Sequence, residues 1–99
     1  RLALLDLMLS GKIVKVWGQL AEGGDYIFVL EEDYFNGGEV RVRYWNVYVP
    51  EKEWERRIKL IVEGRRIGVS AYTLEIQWPK EDSRQTATLG IRASRLFIL

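Results

Sequence analysis

Residues Val40 to Arg57 read Val-Arg-Val-Arg-Tyr-Trp-Asn-Val-Tyr-Val-Pro-Glu-Lys-Glu-Trp-Glu-Arg-Arg, and the break at Pro50 decides how the chain is read. Before it, residues dense in β-formers alternate: Arg41, Arg43 and Trp45 fall on one face, and Val42, Tyr44, Asn46 and Tyr48 on the other. Pro50 has no amide hydrogen to offer a ladder, so the strand ends there. Its fixed φ suits the first position of a helix. Acids at Glu51 and Glu53 and bases at Arg56 and Arg57 match the helix dipole. A short helix over Pro50–Arg57 therefore follows directly on a strand over Val40–Val49.

Working outward, Lys12 to Leu20 is a first strand. Val14, Val16, Gly18 and Leu20 share a face read as core, and Ile13, Lys15, Trp17 and Gln19 share the other. Ala21 to Asp25 is a turn cluster, Tyr26 to Glu32 a second strand, and Asn36-Gly37-Gly38 closes a hairpin. Behind the helix, Leu60 to Val62 resumes a strand and Gly64 marks a bend or bulge. Ile67 to Trp78 is a long strand with Tyr72, Leu74, Ile76 and Trp78 on one face. After the turn at residues 79–83, Thr86 to Leu99 returns, with Leu89, Ile91, Ala93 and Phe97 on its inner face. Three strands, a helix and two strands is the order of an all-β, five-stranded OB-fold barrel with one short helix between strands 3 and 4. Leu2 to Leu9 is mostly apolar but far short of the ~20 residues that span a bilayer. Residues 1–10 are read as an N-terminal apolar extension, a helical turn or edge segment, and 11–99 as the barrel domain.

Composition narrows the chemistry. The 99 residues suit a single domain. There is no cysteine and no histidine, which removes thiolate nucleophiles, disulfides, histidine bases and the commonest metal ligands together. No cofactor is expected, and the chain reads as a non-enzyme. The formal net charge is only +1, so any polyanion site must come from local placement of Lys and Arg. Glu31-Glu32-Asp33 reads as a solvated strand end, because neighbouring strand residues point to opposite faces and at most two carboxylates could meet on a metal.

Bases interleaved with aromatics are the functional signal. Single-stranded nucleic acid is held by stacking bases on aromatic rings while cations follow the phosphates. Lys15 with Trp17, and Arg41 and Arg43 with Trp45, each place both residue types on one strand face. Arg65, in a basic pair with Arg66, is expected on the phosphate backbone. Trp54, inside the charged helix, is expected to plug the helix onto the barrel.

Three short stretches give the chain a family likeness: Gly18-Gln19-Leu20 after the first strand, Tyr44-Trp45-Asn46-Val47 in the third, and Val62-Glu63-Gly64-Arg65 at the fourth. Together they resemble the bacterial single-stranded-DNA-binding protein (SSB) family. That resemblance implies an OB fold, a homo-oligomer (dimer or tetramer), single-stranded DNA as partner in replication, repair or recombination, and a cytoplasmic, nucleoid-associated protein. It places a stacking tryptophan at Trp45, a second aromatic near Tyr34 or Phe35, and a third near Tyr72 or Trp78. The chain departs from the family in its short helix, in Pro50-Glu51 where the family carries a phenylalanine, and in ending at Phe97-Ile98-Leu99 where the family has an acidic tail. Two other readings stay open: an OB-fold protein-interaction or oligomerisation module of the primosomal type, built on Trp17, Leu2–Leu9 and the long strand 4–5 arm, and an RNA-binding OB domain.

Overall fold

The computed structural model describes residues 7–77 and 88–99. Its elements are β1 (Leu7–Gln19), β2 (Tyr26–Asn36), β3 (Glu39–Val49), α1 (Glu51–Arg56), a single 3-10 turn (Ile58–Leu60), β4 (Arg66–Gln77) and β5 (Thr88–Ile98). The strands close in the order β1-β2-β3-β5-β4, with β4 returning to β1. Every neighbouring pair is antiparallel except β3 with β5. This is the five-stranded OB barrel, with its helix between the third and fourth strands.

Closure is incomplete at one end, and that governs everything else. β3 pairs with β2 along its whole length and, among the described residues, with β5 from Trp45 to Tyr48. β4 pairs with β1 only as far as Ala71, whereas its ladder to β5 continues to Gln77. A β2–β3 hairpin therefore extends beyond the β3–β5 ladder, and a β4–β5 arm extends beyond the β1–β4 ladder while staying joined to β3 through Leu89–Arg92. Gly37 and Gly38, both at positive φ, turn the hairpin tip, where a side chain would be strained.

The core is one cluster. Ile13, Phe28, Leu30, Val47, Val49, Ile67, Val69, Ile91, Ala93 and Leu96 have no exposed surface. Trp54 on α1 closes the floor against Tyr26, ring centroids 5.1 Å apart, as its place in a charged helix led one to expect.

Several boundaries and faces differ from the sequence reading. Leu7 to Ser10, assigned to the extension, are residues of β1 paired with β4; residues 1–6 lie outside the described chain. Ile13 faces the core rather than sharing a face with Lys15 and Trp17. The cause is a bulge at Val14: Ile13 pairs with Leu30 and Lys15 with Val29, so the inward row passes from Ile13 to Val16. A second bulge at Trp17 follows at once. In β5, the extra residue Ser94 likewise moves the inward row from Ala93 to Leu96. Phe97 lies instead across Gly68 of β4, where any Cβ would run into its ring. Leu60 to Val62, expected as a strand, instead ends the 3-10 turn and leads into the turn before β4, which is held by Gly64 N–H donating to Ile13 O at 2.7 Å.

Candidate nucleic-acid interface

Where β3 and β5 part, a cleft of about 590 Å³ opens between hairpin and arm. Tyr34, Val42, Arg43, Tyr44, Asn46, Thr88 and Leu89 line it. Inward-row residues (Tyr34, Arg43, Leu89) and outward-row residues (Tyr44, Asn46) meet here because the sheet splits at this point.

The expected open platform at Trp45 is not what forms: its side chain is 7% exposed and belongs to the core. Arg41, Arg43, Trp45, Val47 and Val49 make one row, as alternation requires. At Trp45, β3 is flanked by Leu30 on one side and Leu89 on the other, so the row faces the barrel interior. Two residues earlier β2 is the neighbouring strand among the described residues, and the Arg43 side chain in that row is partly exposed. One face is thus core at Trp45 and mouth at Arg43.

At that mouth Glu32 collects two donors on its Oε1: Trp45 Nε1 at 3.0 Å and Arg43 Nε. The Arg43 guanidinium also lies over Tyr34, 4.2 Å from the ring centroid, within cation–π range. Tyr34 and Arg43 are therefore together. Arg41, further out, is exposed and pairs with Glu39 at 3.1 Å, and Phe35 at the tip is 80% exposed.

The outward face carries the remaining candidates. Lys15 pairs with Val29, and Val29 with Asn46, so Lys15 lies two strands, roughly 10 Å, from the cleft wall on the same face. Its ammonium sits 5.0 Å from the Trp17 ring centroid, and Trp17 is half exposed at its bulge. Arg65 lies on the far side of β1, its carbonyl accepting from Ile13 N–H, and is not brought to the cleft. Tyr72, exposed, occupies a bulge at the root of the arm, and Trp78 lies outside the described residues.

Sequence reasoning missed Tyr44, Asn46, Tyr48 and Glu32. The first three fall on the face opposite the bases and were not among the candidates. Their own row contains Asn46, whereas the row of Trp45 continues as Val47 and Val49; that contrast was the available signal. The Tyr44 phenol is held above its ordinary pKa, first by the charge of Glu31 and then by hydrogen bonding to that carboxylate. The Arg92 guanidinium covers Tyr48 at 5.2 Å and donates to Asp25 and Glu75, which raise its pKa. Glu31 and Glu32 thus serve tyrosine, tryptophan and arginine partners, and no metal-holding group of acids occurs among the described residues. No helix among them is long and apolar enough to cross a membrane.

The architecture defines an OB-fold barrel whose cleft and outward face mix aromatic rings with bases. No protein-family model matches the sequence, and no curated protein does. Solved structures do match, over nearly whole chains. A small single-stranded DNA-binding protein from Streptomyces coelicolor superposes with a TM-score of 0.69 at 13% identity, covering 100% of this chain and 96% of that one. The Plasmodium falciparum SSB in complex with ssDNA gives 0.66 at 21% identity, covering 100% and 97%. A small single-stranded DNA-binding protein from Mycoplasma pneumoniae gives 0.64 at 15%, covering 96% and 93%. The chain shares the fold of these proteins.

Proposed function

We propose that this protein binds single-stranded DNA without catalysis, on the cleft between hairpin and arm and the outward face of β1–β3. The observation that carries it is the cleft, where Tyr34, Tyr44, Asn46 and Arg43 meet, with Lys15 and Trp17 on the adjoining face. Bases stack on Tyr44, Trp17, Tyr34 and Phe35, and on Tyr72 at the arm; Lys15, Arg43 and Arg41 follow the phosphates. Arg65 is a peripheral contact on a strand that continues past β1. Trp45 acts from beneath, as the packed support of the cleft rather than as a stacking surface. The solved structures with this fold point the same way, one of them being a complex with ssDNA. A nucleoid-associated cytoplasmic protein, working as a homo-oligomer in replication, repair or recombination, follows from the same reading.

Titration with oligo-dT tests it. Tryptophan emission is expected to quench, led by exposed Trp17, and log K to fall with log[salt] by about 0.7 per neutralised phosphate. No saturable quenching at low salt overturns the reading. A DNA/RNA competition decides whether 2′-hydroxyls matter.

One observation favours the interaction-module reading. Phe35, Val40 and Val42 on the hairpin, and Leu74 and Ile76 on the arm, leave apolar surface exposed at the open end. If gel filtration shows an oligomer stable to dilution while oligo-dT does not bind, that reading replaces the first.

A further inference from the structure

Several cations around the candidate interface already face acids, whereas Lys15 lies over the Trp17 ring. Arg41 pairs with Glu39, Lys12 with Glu31, and Arg92 with Asp25 and Glu75. Those pairs are partly to substantially exposed at both ends, so solvent and salt compete for them. Arg43 with Glu32 is different. The Glu32 side chain is only 14% exposed, and its Oε1 also takes the Trp45 indole N–H, so the carboxylate is fixed. It holds Arg43 over Tyr34, 4.2 Å from the ring centroid, on a ring face that a base would need.

We propose that Glu32 is an intramolecular competitor for nucleic acid: a carboxylate that takes the place of a backbone phosphate on Arg43 and keeps Tyr34 covered until a strand displaces it. The inference rests on the nucleic-acid reading above and adds its control. One movement of Arg43, from Glu32 to a phosphate, both makes the phosphate contact and uncovers the ring. The carboxylate it leaves behind, largely buried and without its cation, opposes the exchange. Affinity is thereby held below what the same rings and bases could reach, and the exchange is confined to ligands bringing both an anion and a flat base. Other anions can compete for Arg43 but cannot offset the loss of its contact with Tyr34.

The test is Glu32→Gln, which keeps a carbonyl acceptor for Trp45 and removes the charge. Oligo-dT binding is expected to tighten about three- to fivefold at low salt. The salt slope is expected to change by less than about 0.7, one phosphate, because Arg43 reaches a phosphate in both complexes. Glu55→Gln on α1, with the same change in net charge, is expected to move affinity by less than about 1.5-fold. In Glu32→Gln/Arg43→Gln the gain disappears. Weaker binding by Glu32→Gln overturns the proposal, since Glu32 then preorganises Arg43; so does a gain that survives loss of Arg43. Should the variant not fold, the wild type decides by nitrogen-15 NMR. The Arg43 Nε–H signal shifts on saturation with oligo-dT if the pair exchanges, and an unmoved signal overturns the proposal. Failure of the wild type to bind oligo-dT is a separate outcome, which removes the nucleic-acid reading itself and this inference with it.

Discussion

The indole N–H of Trp45 donates to Glu32 Oε1 at 3.0 Å, diagonally across the β2–β3 ladder, at the level where the barrel stops being closed. The ring below that bond packs in the core, and the carboxylate above it reaches the Arg43 guanidinium at the mouth. The bond therefore joins the protein's stability to the shape of its candidate interface. Substitutions here are expected to separate residues that hold the cleft from those that contact a ligand.

Trp45→Ala is expected to act on folding. Removing a buried tryptophan costs about 3–5 kcal/mol, and here it also leaves Glu32 without a donor. Urea denaturation reads the loss as a lower midpoint. In the wild type, acrylamide is expected to quench Trp17 far more than Trp45, because only Trp17 is half exposed. A Trp45→Ala variant of full stability that simply loses DNA affinity contradicts this assignment.

Tyr44→Ala and Trp17→Ala are expected to do the reverse. Both rings are about half exposed, so the urea midpoint stays close to that of the wild type. Oligo-dT affinity drops by about 1–3 kcal/mol for each ring that carries a base. Fluorescence anisotropy of a labelled oligonucleotide measures it. Unaltered affinity in either variant takes that ring out of the interface.

Tyr44 is expected to titrate above the ordinary tyrosine value of about 10, since the Glu31 carboxylate opposes a second negative charge beside it. The neutral phenol is favoured in the fold, so this contribution to stability is complete below the unfolded pKa and is lost as pH rises through the folded one. Ultraviolet difference titration follows tyrosinate formation. Glu31→Gln is expected to bring the Tyr44 titration down, and no movement would refute the cause given.

Glu53, a buried acid on α1, ties the helix to the barrel. Its Oε2 accepts the Leu96 N–H at 2.8 Å, where the extra residue in β5 has shifted the ladder, and its Oε1 takes Arg56 at 3.0 Å. Glu53→Ala is expected to cost about 2–3 kcal/mol in urea denaturation, because a buried N–H and Arg56 lose their acceptor. Glu53→Gln, keeping one oxygen for Leu96, is expected to lose less. Equal losses would mean that charge rather than the hydrogen bond carries the effect.

Alternation and punctuation along the chain determined the element order: Pro50 ending β3, the charge gradient of α1, the Gly37-Gly38 turn and the Trp54 plug all depend on local backbone chemistry. Pairing Arg41, Arg43 and Trp45 on one row was also a local fact. Whether that row lies inside or outside was not. Four single-residue bulges, at Val14, Trp17, Tyr72 and Ser94, shift the ladders and with them which side chains face inward, and nothing in their composition marks them. The depth of the row depends on where β5 stops pairing with β3, a contact between residues more than forty positions apart. Only closure of the barrel could place Trp45 in the core and leave Arg43 at its edge, because burial comes from the strands on both sides and not from the strand itself.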